Sequence, residues 1–384
     1  MRIAYFTDTF HPQINGVTNT LDRLETYLKS SNIQHMFFAP SFPRDIKSKN
    51  RRNVRRFRSV SFPLYPECRL SIPLYANISR LADRFRPDLV HLVTPLGIGF
   101  AGLRYARERG LPIVMSYHTN FDAYLKYYNL EFIENAIWNF FKWFHSHSSA
   151  NFCPSKDTME ILKSNGIENV KLWSRGIDTT AFCPSHKDLS LRAGMNPQNK
   201  VMFLYVGRLA AEKDLDILVD SIQRVSNAHP GKAQFIIAGD GPYAEEMKKT
   251  LSEDVIFTGY LKGQPLSALY ASCDAFVFPS TTETFGNVVL EAMASGLPVI
   301  TVDSGGVKDS VRNGFNGFLC KPRDAESFSE AIVKFLDNQS LIAGMSQNAR
   351  QYTLAKSWNR IFDQLLLDYK SVLDEVYKRM GDTA

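Results

Sequence analysis

Val201-Met202-Phe203-Leu204-Tyr205-Val206-Gly207-Arg208-Leu209-Ala210-Ala211-Glu212-Lys213 is an apolar run that closes on glycine and then turns polar. A helical pattern follows, so the stretch reads as a strand feeding a helix through a short loop. Similar short runs recur in the second half at Gln234–Ala238, Val255–Thr258, Ala275–Phe278, Pro298–Val302 and Phe318–Cys320. The first half carries its own set: Arg2–Phe6, His35–Ala39, Leu89–Val93, Ile113–Tyr117, Asn151–Cys153 and Lys171–Trp173, with helical patterns such as Leu21–Lys29 and Ile137–His147 between them. Alternation of this kind implies an α/β chain with parallel sheets, and two sets imply two doubly wound domains facing across a cleft. The expected organisation is a first domain over residues 1–175, a polar linker over 176–200, a second domain over 201–357, and a closing amphipathic helix over 358–384 that packs back toward the first domain.

The size agrees, since 384 residues suffice for two cores. Hydrophobic residues are 44% and charged residues 22%, which excludes a chiefly disordered chain. A formal charge of +6 would suit an anionic partner such as nucleic acid, phosphate or lipid. That excess is local: residues 1–175 hold 24 basic and 14 acidic side chains, and the remainder holds 21 and 25. Arg44, Lys47, Lys49, Arg51, Arg52, Arg55, Arg56 and Arg58 against Asp45 give residues 44–58 a charge of +7. The five cysteines are scattered without a Cys-x-x-Cys pair, which fits neither a disulfide framework nor a zinc site. Asp8 interrupts any signal-peptide core, and no apolar run approaches the roughly 20 residues that span a bilayer. A cytoplasmic location is expected, with any membrane contact peripheral.

Arg208 and Lys213 stand five residues apart between a strand end and a helix start. Cations, backbone amides and the helix dipole together neutralise a diphosphate at such a junction. A solvated loop with incidental charge is the competing reading. Gly239-Asp240-Gly241-Pro242 is a tight turn whose glycines allow either close approach to a ligand or a purely structural bend. Glu283 ends a polar loop and Glu291 follows eight residues later, with a helix expected to begin near Thr284. Eight helical residues span about 12 Å, enough to separate two polar contacts on one elongated ligand. In the first half, Asn15-Gly16-Val17 precedes a helix, so Gly16 can bring amides to a phosphate or sugar. His118 follows the strand Ile113–Tyr117, at the sheet edge expected to face the cleft, although a lone histidine is more often structural. Asp214-Leu215-Asp216 is read as support for a helix N-terminus in preference to a metal site.

Together these motifs resemble glycosyltransferase family 4, retaining enzymes of the GT-B fold with two Rossmann-like domains. The likeness covers essentially the whole chain. It rests on Asn15-Gly16-Val17, Ser116-Tyr117-His118-Thr119, Gly176-Ile177-Asp178 with Phe182 and Pro184, Gly207-Arg208-Leu209 with Glu212-Lys213, Gly239-Asp240-Gly241-Pro242, and the pair Glu283 and Glu291 with seven residues between them. The resemblance implies that Arg208 and Lys213 bind the donor diphosphate and stabilise it as it leaves, and that Glu291 holds the ribose hydroxyls. It implies that Glu283, with backbone groups of Thr284, Phe285 and Gly286, grips the transferred sugar. Asn287 and Val288 would offer amides near the phosphates, and Gly239 and Gly241 belong to the donor-binding loops. Gly16 would approach the phosphates from the first domain, His118 would lie beside the reacting sugar carbon, and Tyr260 would border the nucleobase. No cofactor and no metal is expected, the nucleotide sugar being a substrate. Many relatives carry two glycines in the first loop, where Asn15-Gly16 stands here.

Ser116–Thr119 and Phe257–Tyr260 are similar to segments of mannosyltransferases and of sulfoquinovosyl and diacylglycerol glycosyltransferases. The resemblance therefore implies transfer of a hexose, with a lean to GDP-mannose, to a lipid or glycolipid at the membrane surface. UDP-glucose, UDP-galactose or UDP-N-acetylglucosamine as donor, a soluble sugar as acceptor, and a non-catalytic nucleotide-sugar binder remain alternatives. An anionic membrane surface is the partner expected for residues 44–58, at about 1 kcal/mol for each Lys or Arg near the leaflet; a solvated loop is the alternative. The aromatic helix Ile137–Phe144 is expected to pack into the core, because Asn135, Asn139, Lys142 and Ser146 form a single polar stripe. Nucleic acid is not an expected partner, and no Gly-x-Gly-x-x-Gly follows the first strand to suggest a nicotinamide enzyme. The sequence carries no signal for an oligomeric state.

Overall fold

The structure is a computed structural model that describes residues 1–13, 15–42, 52–62, 65–71, 74–118 and 131–381. The chain divides into two compact units, with 132–174 and 359 onward joining the N-terminal stretch in the first and 175–358 forming the body of the second. The first contains a seven-stranded sheet in the order β3-β2-β1-β6-β7-β8-β9. Its strands are β1 (Arg2–Phe6), β2 (Gln34–Pro40), β3 (Val54–Phe57), β6 (Leu89–Leu92), β7 (Ile113–Ser116), β8 (Ala150–Cys153) and β9 (Val170–Leu172). Every pairing in it is parallel. β4 (Ser59–Phe62) and β5 (Tyr65–Ser71) form a separate antiparallel pair. Register between β1 and β2 places Tyr5 beside Phe37 and Phe6 beside Phe38, and both aromatic pairs stack, at 4.6 and 4.4 Å.

Helices α1 (Gly16–Ser30), α2 (Tyr75–Phe85), α3 (Gly97–Glu108), α4 (Glu134–His145) and α5 (Lys156–Ser164) connect these strands. Asn15 caps α1: its Oδ1 accepts from the Thr18 amide at 2.9 Å, while the Asn15 amide donates to the Thr18 hydroxyl at 3.0 Å. The aromatic helix α4 buries Phe141 and Phe144 and exposes Asn135, Asn139, Lys142 and Ser146, but Trp143 is 47% exposed.

The basic run departs from a simple solvated loop. Val54 to Phe57 is the edge strand β3, whose apolar positions alone are too few to announce it. Arg56 donates to the Pro40 carbonyl at 2.8 Å and to the His11 carbonyl at 2.5 Å, and its guanidinium lies 5.2 Å from the Phe10 ring. Arg56 is thus spent on the fold. Residues 44–51 of that run, and Thr119 of the Ser-Tyr-His-Thr motif, lie outside the described residues.

The second unit contains a six-stranded parallel sheet in the order β12-β11-β10-β13-β14-β15. Its strands are β10 (Val201–Val206), β11 (Ala233–Ala238), β12 (Ile256–Gly259), β13 (Ala275–Phe278), β14 (Val299–Val302) and β15 (Gly317–Cys320). β10 is buried at all six positions, as a central strand covered on both faces must be. The segment 176–200, expected as a linker, carries a short helix α6 (Leu189–Met195) and belongs to this unit. Arg192 on α6 donates to Asp274 at 2.9 and 3.0 Å, ahead of β13. α7 (Leu215–Ala228), α8 (Ala244–Thr250), α9 (Gln264–Ser272), α10 (Asn287–Ala294), α11 (Ala325–Asp337) and α12 (Ser340–Leu354) complete it.

The last helix, α13 (Trp358–Gly381), joins the first unit from Asn359 onward. There the Tyr369 hydroxyl meets His91 Nδ1 at 2.5 Å, while His91 Nε2 bonds the Ser116 hydroxyl. Complete burial pulls the His91 imidazole down to about 3, so it stays neutral.

Candidate functional site

In each sheet the strand order reverses once, and ligands of doubly wound sheets gather at the carboxyl ends of the strands beside that reversal. In the second unit the reversal lies between β10 and β13. The loops leaving those two strands carry Arg208 and Lys213 on one side and Glu283 on the other. Local folding fixes both loops. After β10 the chain makes a 3-10 turn over Ala211–Lys213, then takes the left-handed conformation at Asp214, φ 50° and ψ 42°, before α7 begins. Asp214 is buried, and its Oδ2 accepts from both the amide and the hydroxyl of Thr281 at 2.7 Å. The Thr282 hydroxyl donates to the Glu212 carbonyl at 2.9 Å. Two threonines therefore strap the Glu283 loop onto the Arg208–Lys213 loop. Asp214 is the N-cap residue of α7 but makes no side-chain cap hydrogen bond there; its carboxylate serves the Thr281 loop.

Lys213 Nζ donates to Glu283 Oε1 at 2.5 Å, with both side chains largely shielded from solvent. Arg208 donates to the buried carboxylate of Glu212, four residues along the loop. Beneath them Tyr205 is fully buried and stacks on Phe278, and its hydroxyl donates to the Arg208 carbonyl at 3.3 Å. Burial, then the carboxylates of Glu283 and Glu212, push the Tyr205 phenol well above its ordinary value. The tyrosine is a fixed neutral floor for two cation–carboxylate pairs.

Gly239 and Gly241 stand where one loop backbone passes close to another. A Cβ on Gly239 would stand 1.9 Å from the Gly207 carbonyl oxygen, and one on Gly241 would stand 2.3 Å from that of Leu209. Both residues have φ near 150°, a conformation glycine alone takes readily. The Leu209 amide donates to the Asp240 carbonyl at 2.9 Å, and the Tyr243 amide returns to the Leu209 carbonyl at 2.9 Å. These glycines let one loop backbone cross another, which holds Arg208 in place.

The helix near Glu291 begins later than expected. Gly286 is its N-cap, with φ 77°, and α10 starts at Asn287, so Glu283, Thr284 and Phe285 precede it and the 12 Å helical span does not apply. Asn287 and Val288 supply the first two helix amides, which have no partner inside the helix. Asn287 Oδ1 is buried with no hydrogen-bond partner among the described residues. Glu291 accepts from the hydroxyl of fully buried Tyr270 at 3.1 Å. Phe285 is buried in a small cluster with Ile177, Leu290 and Ala294. Tyr260, just past β12, is 59% exposed.

Two residues of this neighbourhood escaped the reading of the sequence. Gly305 and Gly306 follow β14, and the Gly306 amide donates to the Glu283 carbonyl at 2.7 Å. A Cβ on Gly306 would stand 2.0 Å from the Thr284 carbonyl oxygen, and one on Gly305 2.7 Å from that of Glu283. A glycine pair after a predicted strand was the available signal.

The remaining two expected site residues, Gly16 and His118, lie in the first unit. Gly16 is the first residue of α1, and Asn15 occupies the cap position before it. His118 lies two residues beyond β7 with its ring edge-on to Trp173, centroids 5.3 Å apart. In this sheet the order reverses between β1 and β6, and there Asp8 accepts from the Ile98 and Gly99 amides at 2.9 and 3.3 Å and from the Thr94 hydroxyl at 2.8 Å. Burial pushes the Asp8 carboxyl up to about 6 against the opposing pull of those hydrogen bonds. Asp8 caps α3, a role invisible in a sequence where the two are some ninety residues apart.

Residues 14–181 match the model of Glycosyltransferase Family 4, and residues 188–352 match that of Glycosyl transferases group 1. The chain is 34% identical to the GDP-mannose-dependent alpha-mannosyltransferase of Mycolicibacterium smegmatis over 377 residues, 97% of this chain and 98% of that protein. It is 26% identical to the alpha-monoglucosyldiacylglycerol synthase of Streptococcus pneumoniae, over 78% of this chain and 70% of that one. Among solved structures, sucrose-phosphate synthase from Thermosynechococcus elongatus superposes with a TM-score of 0.77 at 20% identity, over 97% of this chain and 99% of that one, which places the fold in the GT-B class. Two parallel Rossmann-like sheets, two adjoining family matches and a relative this similar along nearly the whole length lead to one conclusion: the chain is a glycosyltransferase of the group 1, family 4 enzymes.

Proposed function

We propose that this enzyme transfers a mannosyl residue from GDP-mannose to a lipid or glycolipid acceptor, with retention of anomeric configuration. The observation that carries the reading is the Lys213–Glu283 contact at the switch point of the second sheet, with Arg208 held beside it. Breaking a sugar–phosphate bond builds positive charge on the anomeric carbon and negative charge on the departing diphosphate. Preorganised cations at the leaving group stabilise that separation more than any other single device. In this reading a diphosphate draws Lys213 and Arg208, and Glu283 turns to the sugar hydroxyls with the backbone of Thr284, Phe285 and Gly286. Glu291, steadied by Tyr270, takes the ribose, and Asn287 and Val288 present amides to the phosphates. Gly239 and Gly241 hold the donor loop, Tyr260 borders the base, and Gly16 and His118 are read as contacting the donor phosphates and the reacting sugar. The two cations supply the charge, so the reaction is read as metal-independent.

GDP-mannose is favoured by the similarity to mannosyltransferases along nearly the full chain. A lipid acceptor is favoured by the likeness to a diacylglycerol-modifying synthase, and the exposed arginines of residues 44–58, such as Arg52 and Arg58, suit peripheral contact with an anionic leaflet. The test is a donor screen that follows hydrolysis and transfer with GDP-mannose, UDP-glucose, UDP-galactose and UDP-N-acetylglucosamine, with and without a chelator. Turnover of GDP-mannose above the others, unaffected by the chelator, is expected. Preference for a UDP-sugar refutes the donor assignment, and Glu283→Ala with turnover intact refutes the site.

A further inference from the structure

A buried polar chain in the first unit ends beside His118. His91 lies within β6 between Val90 and Leu92 and is fully shielded from solvent. An apolar side chain would fill that place at less cost, since a buried imidazole needs partners for both ring nitrogens. His91 finds them on two different elements. Its Nδ1 meets the hydroxyl of Tyr369 on α13 at 2.5 Å, and its Nε2 meets the hydroxyl of Ser116, the last residue of β7. Tyr369 and Ser116 are themselves buried.

His91 reaches His118 by two routes. Along the backbone, Ser116 stands two residues before His118, and the Tyr117 amide between them donates to the Phe152 carbonyl at 2.8 Å. Through the packing, the His91 ring lies 5.5 Å from the Trp173 ring, which in turn lies 5.3 Å from His118. Trp173 is buried in a close-packed interior, so a shift of His91 is passed on to its neighbours. Tyr5, Phe152 and Tyr369 enclose the imidazole from other sides, at 5.4, 6.0 and 5.7 Å. Burial pulls the imidazole down to about 3 and keeps it neutral. One nitrogen then donates and the other accepts, and removing either hydroxyl leaves a buried nitrogen unsatisfied. Docking of α13 does not need the Tyr369 hydroxyl. Phe362, Leu365 and Val372 are buried along the helix, Phe362 packs on Tyr27, and the Tyr27 hydroxyl donates to Asp363.

We infer that Tyr369, acting through His91 on Ser116 and Trp173, is a positioning residue that fixes the place of His118; this rests on the reading of His118 as the side chain beside the reacting sugar carbon. The donor-binding groups Arg208, Lys213, Glu283 and Glu291 belong to the second unit and make none of these bonds. Loosening the chain therefore acts on the chemical step and leaves donor affinity alone. A reacting group misplaced by about 1 Å lowers the rate on the order of a hundredfold.

The test uses the full chain and the variants Tyr369→Phe and Ser116→Ala, each of which deletes one hydroxyl of the chain. Tyr27→Phe is the control, because it removes a bond to α13 that does not touch His91. Steady-state transfer is measured beside the ring resonances of His118 in nitrogen-15-labelled protein, assigned by their loss in His118→Ala. Tyr369→Phe and Ser116→Ala are expected to lower kcat roughly 10- to 100-fold with the donor KM within about twofold, and to move the His118 resonances. Tyr27→Phe is expected to do neither. A lower melting temperature with kcat and the His118 resonances unmoved marks a purely structural role and overturns the proposal. Intact transfer in both hydroxyl variants beside an inactive His118→Ala overturns the proposal alone. Intact transfer in His118→Ala overturns the reading of His118 and this inference with it.

Discussion

Gly306→Ala tests whether the Glu283 loop owes its position to the glycine pair that braces it. The added Cβ would sit 2.0 Å from the Thr284 carbonyl oxygen and 2.7 Å from the Phe285 amide nitrogen, both backbone atoms that cannot rotate away. Ordinary contact begins near 3.4 Å, so the loop must retreat by roughly 1.4 Å. The Gly306 backbone lies outside the left-handed region, so alanine brings the clash without an added dihedral cost. Overpacking of this kind destabilises by about 1–3 kcal/mol, a fall in melting temperature of roughly 2–12 °C. Displacing a contact group by about 1 Å lowers catalysis on the order of a hundredfold. The assay is steady-state transfer from the preferred donor at a temperature where the variant is fully folded, beside a thermal melt. Gly344→Ala serves as the control, since it lies in α12 with nothing within 4 Å of the new methyl. That change gains about 0.5–1 kcal/mol and leaves turnover alone. A folded Gly306→Ala enzyme with turnover within about twofold of the parent would refute the claim that this contact positions Glu283.

Three further outcomes follow from single contacts. Tyr270→Phe removes the hydroxyl that donates to Glu291, and a lost hydrogen bond to a charge of about 1.5 kcal/mol raises the donor KM roughly tenfold with kcat little changed; an unaltered KM detaches Glu291 from donor binding. Arg56→Gln breaks two bonds to backbone carbonyls and lowers stability by about 2–3 kcal/mol in denaturant melts, whereas Arg52→Gln and Arg58→Gln, both exposed, stay within about 0.5 kcal/mol. The Asp8 carboxyl titrates near 6 when folded and at its ordinary value of 3.8 when unfolded, so between about pH 4 and 6 the folded state holds one more proton there. Its raised value makes its contribution to stability fully present below about pH 4 and lost as pH rises through about 6, at about 1.4 kcal/mol per pH unit. Asp8→Asn lacks that slope, and stability curves of the two proteins that run parallel across the window would show the assignment to be wrong.

The strands were legible because a parallel sheet covered on both faces leaves continuous apolar runs, and Val201–Val206 is buried at every position. Arg2–Phe6 could be read for the same reason. Val54–Phe57 could not, because an edge strand half made of arginine carries no apolar period and takes its place only by pairing with β2. The helix bearing Glu291 was placed three residues early, because the turn at Gly286 is set by a left-handed backbone packed against Val307, a partner from another loop.

By itself the sequence determined which chemistry the chain can bring to bear. Arg208, Lys213, Glu283 and Glu291 are ionisable groups on loops that follow apolar strands, and spacing along the chain reveals both facts. Tertiary structure alone decided how those groups are held. Thr281 and Thr282 tie the Glu283 loop to Asp214 and Glu212, and Gly306 braces it from behind. Gly239 and Gly241 serve a backbone crossing at Gly207 and Leu209, although their sequence reads equally as a ligand loop. The physical reason is range. Apolar burial and helix or strand period act between near neighbours, whereas a hydrogen bond between residues 214 and 281, or a carbonyl 2.0 Å from an absent methyl, exists only after the sheet has brought distant loops together.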